Sequence, residues 1–128
     1  PLALIVIMTG CTTVTELKDD PSFYGEREIA MSLNELAISL QKYNQRCTPR
    51  VSMQRDLSDD TKAFWDIFHP ADNVQQHWEY QESPDGQSTT VMLWAKWGVG
   101  SEKILDGVVW TMSNPPECMG WRWSGAES

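Results

Sequence analysis

His69 and His77 lie close in the chain to Asp72 and Glu79. Imidazole and carboxylate groups in that combination are the donors that zinc accepts. The spacing does not make them converge: His77 and Glu79 share one face of any strand that holds both, while His69, followed by Pro70, stands at the end of the preceding element. A solvated or capping role is therefore expected for the histidines, with no metal and no cofactor. Asp66, Glu79 and Glu82 offer carboxylates for acid and base work, but hydrolysis needs a particular separation between the two groups, which spacing alone does not set. The sequence contains no GxSxG elbow, no HExxH, no GxxxxGK[ST] loop and no dinucleotide fingerprint. Gly98-Val99-Gly100-Ser101 reads as a turn between two strands, not as a loop opening a phosphate-binding helix. The expectation is a protein that binds and is not an enzyme.

Tryptophan is the unusual component, with residues at 65, 78, 94, 97, 110, 121 and 123. Trp121 and Trp123 flank Arg122 and must share a strand face, whereas Trp94 and Trp97 point to opposite faces of a regular strand. One core layer cannot hold them all. Most are expected inside, where large apolar rings belong. Trp94, Trp97, Trp121, Arg122 and Trp123 form the candidate binding surface, because Trp and Arg dominate protein interfaces and aromatic rings also stack on glycans.

A net charge of −8 and the absence of any dense Lys/Arg cluster argue against nucleic acid, whose phosphates need clustered cations. The same charge suits a basic protein partner, as well as plain solubility.

The chain opens PLALIVIMTGCTT, with an unbroken apolar run from Leu2 to Met8. Seven residues are too few to cross a bilayer, though they suit the hydrophobic part of an export signal or a short buried strand. Met8-Thr9-Gly10-Cys11 resembles the lipobox of bacterial lipoproteins, with Met where Leu is usual. The resemblance covers only the start of the chain. It implies cleavage before Cys11, acylation of Cys11 and a stable multi-chain anchor. Thr12 in place of Asp then points to the outer membrane, with the inner membrane as the alternative. With Cys11 assigned to lipid, Cys47 and Cys118 remain as an even pair, expected to form a disulfide in an oxidising periplasm. The separation of 71 residues (118 minus 47) would make that bond worth roughly 4 kcal/mol by loop entropy.

Several elements must position these residues. Residues 1–10 are read as a signal-peptide remnant and 11–25 as a lipidated Cys with a polar tether, the other possibility being a segment docked through Phe23 and Tyr24. Residues 26–128 form a single periplasm-facing domain. Ile29, Leu33, Leu36, Leu40 and Tyr43 make a helical stripe and predict one long amphipathic helix over 26–45, acidic at its start and basic at its end. Thr48-Pro49 stops it. Val51–Leu57 reads as a strand. Ser58-Asp59-Asp60 reads as the cap of a short second helix over 61–68. Val74–Glu82 and Ser88–Trp97 read as a hairpin around Ser83-Pro84-Asp85-Gly86. Ile104–Ser113 and Met119–Trp123 read as further strands. The expected fold is α+β, with the long helix on an antiparallel meander sheet of four to five strands.

The functional expectation is a non-enzymatic envelope lipoprotein that binds or inhibits a protein partner, of immunity or inhibitor type. Accessory work in an outer-membrane or secretion complex is the first alternative. A glycan-binding or hydrolytic envelope protein is the second.

Overall fold

In chain order the elements are α1 (Val14–Asp19), a 3-10 turn (Pro21–Phe23), β1 (Tyr24–Ile29), α2 (Leu33–Asn44), β2 (Gln54–Arg55), β3 (Lys62–Phe68), β4 (Val74–Glu82), β5 (Thr89–Ala95) and α3 (Ser101–Ser113). This is a computed structural model, and it describes residues 13–47, 51–68, 74–96 and 100–113. The strands form one antiparallel sheet in the order β1-β5-β4-β3-β2. The chain thus lays β1 at one edge, crosses by α2 to the far edge, and returns strand by strand until β5 pairs with β1. The α+β class and the antiparallel sheet agree with the sequence reading.

One face of the sheet makes the main core. Ile29, Ala63, Trp78, Tyr80, Val91, Leu93 and Ala95 point to it, and Leu33, Leu36, Leu40 and Tyr43 of α2 meet them together with Ile104, Leu105 and Val108 of α3. Trp78 and Leu93 are wholly removed from water, and burial of each such side chain stabilises the fold by about 1.5–3 kcal/mol. Gly25 gives α3 room to cross close over β1. A Cβ there would stand 3.1 Å from Ser101, Glu102 and Leu105 side-chain atoms. Arg27 reaches up from β1 to Glu102 and, at 2.8 Å, to Asp106 of α3.

The long N-terminal helix is corrected to a strand followed by a short helix. Burial alternates along Tyr24–Ile29, with Gly25, Arg27 and Ile29 on the inner side, and Ile29 meets the helical stripe only by coincidence of spacing. The helix starts at Ser32, whose hydroxyl accepts from Glu35 N at 3.1 Å while the Glu35 carboxylate accepts from Ser32 N at 3.3 Å. That reciprocal cap was legible as S-x-x-E. Glu82 of β4 also accepts from Leu33 N at 2.7 Å, tying the helix start to the sheet.

The expected second helix at 61–68 is β3. Its supposed cap is a hairpin turn: Asp56 accepts from Ser58 N at 2.8 Å, and Asp59 accepts from Thr61 N at 3.0 Å. Asp and Ser close such turns as readily as they cap helices. The strand expected over 51–57 shrinks to the two residues of β2. The strand expected at Ile104–Ser113 is α3, and Gly100-Ser101 leads into this helix instead of joining two strands. Ser101, Ile104, Leu105 and Val108 are buried at helical spacing, a period masked in the sequence by the β-branched composition. The β4–β5 hairpin forms where expected, with Gly86 at φ +70° in its turn. The strand expected at Met119–Trp123 lies outside the described residues.

Residues 13–25, within the stretch read as a tether, carry α1, the 3-10 turn and the first two residues of β1. Leu17 is completely buried, so this segment takes the docked form.

Replacing Ser32 with Ala removes one half of the reciprocal cap and should lower stability by about 1 kcal/mol in urea denaturation. Leu36→Ala, by opening a cavity between α2 and the sheet, should cost about 2–5 kcal/mol. Equal effects from the two substitutions would contradict this assignment of cap and core.

Candidate binding face

Among the described residues, no long helix lies on the second face of the sheet. Register alone decides which side chains share it. Tyr24, Trp94, His77 and Asp66 stand in one row across β1, β5, β4 and β3. Glu26, Met92, Glu79 and Phe64 form the next row, and Glu28, Thr90, Gln81 and Lys62 a third. Near its start, β4 carries one extra residue, Gln75, between the partners of Ile67 and Phe68. Such a bulge reverses the alternation, and Val74 joins the face of His77.

α1 covers only the Trp94 end of this face. Leu17 packs with Val74 and Trp94, against half-buried Val14, Phe23, Tyr24 and Met92. Trp94 is 9% exposed, with Tyr24 at 4.8 Å, His77 at 5.6 Å and the Lys18 ammonium 4.7 Å above its ring. It is therefore a wall of the small core and not a bare stacking surface. Trp65 and Trp78 meet on the opposite face at 5.8 Å.

His77 is held from both sides. Its Nδ1 meets the Asp66 carboxylate, and its Nε2 lies 2.7 Å from Glu79, which also accepts from Lys18 at 2.7 Å. Each ring nitrogen thus faces a carboxylate oxygen, one from β3 and one from β4. Burial pushes Glu79 up, but the hydrogen bonds and charges of Lys18 and His77 outweigh it and leave the carboxyl below its ordinary value of 4.5. Burial, the hydrogen bond to Glu26, and the Glu26, Glu79 and Glu102 charges push the Tyr24 hydroxyl up to about 12. Tyr24 thus remains a neutral donor.

Beside this chain of contacts lies an open cleft of about 280 Å³, lined by Asp56, Lys62, Phe64, His77, Glu79, Gln81 and Met92 with parts of Ala63 and Tyr80. Glu26 and Glu28 extend the carboxylates along β1, exposed. A concave surface of this make-up suits association with a cationic, partly apolar group. Among the described residues, the polar groups bonded to His77 and Glu79 are carboxylates and an ammonium. Among the described residues, no three His, Cys, Asp or Glu side chains gather as metal ligands would.

Of the residues singled out from sequence, Asp66, His77 and Glu79 come together, while Glu82 faces the other way. Cys47 is buried and disulfide-bonded. Its expected partner Cys118, the lipobox Met8–Cys11, His69, Asp72, Trp97, Trp121, Arg122 and Trp123 all lie outside the described residues. Lys18, Phe64 and Met92 were missed. For Phe64 and Met92 the available signal is the period-2 parity of β3 and β5, and the helical spacing within 61–68 obscures it in β3.

The Lys18–Glu79 contact should be acid-labile. A carboxyl depressed by folding contributes its stabilisation above its unfolded value, near 4.5, and loses it as pH falls through the lower folded value. The Trp94 indole NMR resonance should therefore move below pH 4.5 in the native protein and stay still in Glu79→Gln. An identical acid shift in the variant would assign the change to another group.

No known family model, curated protein or solved structure matches this chain.

Proposed function

We propose that the protein is a bacterial envelope lipoprotein, anchored through Cys11, whose domain binds a basic protein partner through the open face of its sheet. The carrying observation is the make-up of that face. Phe64 and Met92 supply apolar contact in a cleft, and Glu26, Glu28, Asp66 and Glu79 surround them with carboxylates. Apolar centres with a charged surround are the usual anatomy of protein interfaces. The net charge of −8 extends the same sign beyond the face and would speed encounter with a cationic partner. The lipobox resemblance supports an envelope address on the outer membrane, facing the periplasm. The disulfide at Cys47 fits an oxidising compartment. The mode of action is that of immunity or inhibitor lipoproteins: a small domain holds or blocks a basic effector, such as a wall-degrading muramidase, without chemistry of its own.

A basic muramidase is the first probe. At low salt, Glu26→Gln with Glu28→Gln should slow association by roughly three- to tenfold and flatten its salt dependence, because steering depends on the charge of the facing surfaces. An unchanged association rate would remove this face from the encounter.

Intact mass tests the anchor and the compartment. Expressed behind a complete signal sequence, the mature chain should begin at Cys11, carry a triacyl modification and expose no thiol until reduction. A chain retaining residues 1–10 with three free thiols would overturn the envelope reading.

A further inference from the structure

Among the described residues, part of one edge of the sheet has no neighbouring strand. β3 extends from Lys62 to Phe68, but β2 pairs with it only at Gln54↔Phe64 and Arg55↔Ala63. Among the described residues no strand lies beside Trp65–Phe68 on that side. The cause is visible in the segment that would otherwise continue β2. The Asn44 side chain donates to Val51 O at 2.6 Å and accepts from Val51 N at 2.9 Å, using both backbone groups of that residue. Ser52 O accepts from the buried Tyr80 hydroxyl at 3.0 Å. Val51 is wholly buried under α2. The chain is thereby drawn down into the core just where it would have met Asp66 and Ile67.

The two edges of the sheet differ in kind. β1 places Glu26, Arg27 and Glu28 in succession and has α3 laid against it, features that discourage strand pairing. The bare part of β3 reads Trp-Asp-Ile-Phe, with no Pro and no Lys, and Phe68 is 59% exposed. An unpaired edge of this kind, with Asp66 its single charged residue, presents backbone N–H and C=O groups at alternate residues, and the ligand that matches them is an extended peptide. Four residues span about 13 Å, enough for a short added strand.

Charge selects among such peptides. Asp66 lies on this edge, and Asp56, Asp59 and Asp60 occupy the hairpin that precedes it. A second copy of the chain would bring another net −8 and the same aspartates, whereas a basic segment would be drawn in. We propose that Trp65–Phe68 is a strand-addition site, which takes an extended segment of the partner in which basic and apolar residues alternate. This rests on the reading of the protein as a binder of a basic partner and specifies how that partner is gripped.

The test is amide hydrogen exchange on the disulfide-intact, isotope-labelled chain with a capped hexapeptide of alternating Lys and Val. Two control copies carry N-methyl groups on one or the other set of alternate amides. At millimolar peptide, the edge-facing amides of Trp65–Phe68 should exchange at least about tenfold more slowly, as expected when an open edge gains partners. The amides of Glu26–Glu28 should not change. At least one methylated copy, and the variant Phe68→Lys, should lose the effect. Absence of slowing overturns the proposal, as does slowing at β1 instead. Equal binding by both methylated copies would mean that the peptide sits on the sheet face by its side chains; the edge assignment would fall while the wider binding reading stood. Protection at β3 from a chain that shows no association with basic proteins would retain the edge and sink the wider reading.

Discussion

Pairing of β4 with a strand on each side forces Trp78 and Tyr80 to one face of the sheet and His77 and Glu79 to the other. The two halves of the molecule follow from that alternation. Trp78 and Tyr80 need cover and receive it from α2 and α3, which close the main core. His77 and Glu79 need polar partners and find them in Asp66 and Lys18. Slipping β4 by one residue would bury a carboxylate under two helices and leave Trp78 in water, and both penalties act against the slip.

The polar chain on the second face also decides how far the N-terminal segment reaches. Lys18 is placed by α1, whose Leu17 is buried against Val74, and Val74 faces that way because of the bulge at Gln75. A single extra residue in β4 thus creates the socket for α1. Among the described residues nothing covers the face beyond α1, and its mixture of Phe64, Met92 and carboxylates is what the binding reading draws on. At the far edge, Asn44 shows the same economy. By taking both backbone groups of Val51 it closes the core under α2 and shortens β2, so stability at one place leaves an unpaired edge at another.

The candidate binding face is partly legible in the sequence. Parity alone assigns His77 and Glu79 to one strand face, and Asp66, Glu79 and Glu82 stand out as carboxylates for acid and base work, of which only Asp66 and Glu79 meet His77. What failed was the element carrying Asp66. Thr61–Phe68 has apolar residues at both helical and strand spacings, and Asp59 closes a turn as well as it caps a helix. Lys18 was hidden for another reason: a stretch this rich in charge looks solvated, and one leucine, Leu17, decides otherwise. Trp94 was noticed as an anomaly but assigned to the surface, because sequence does not reveal that α1 folds over it.

By itself the sequence determined the elements whose signals are local and unambiguous. The Ser83–Gly86 turn with alternating flanks forms the β4–β5 hairpin, and the stripe Leu33, Leu36, Leu40 and Tyr43 forms α2. Acidic charge and the lipobox-like start likewise need no fold to be read. Tertiary structure decided the rest. Ile104–Val109 is helical because Gly25 lets a helix approach β1 closely and Arg27 ties it down, contacts between residues far apart in the chain. Tyr24–Ile29 is a strand because β5 offers it an edge. Short apolar segments satisfy either period on their own; the neighbour that can bury them and complete their hydrogen bonds makes the choice.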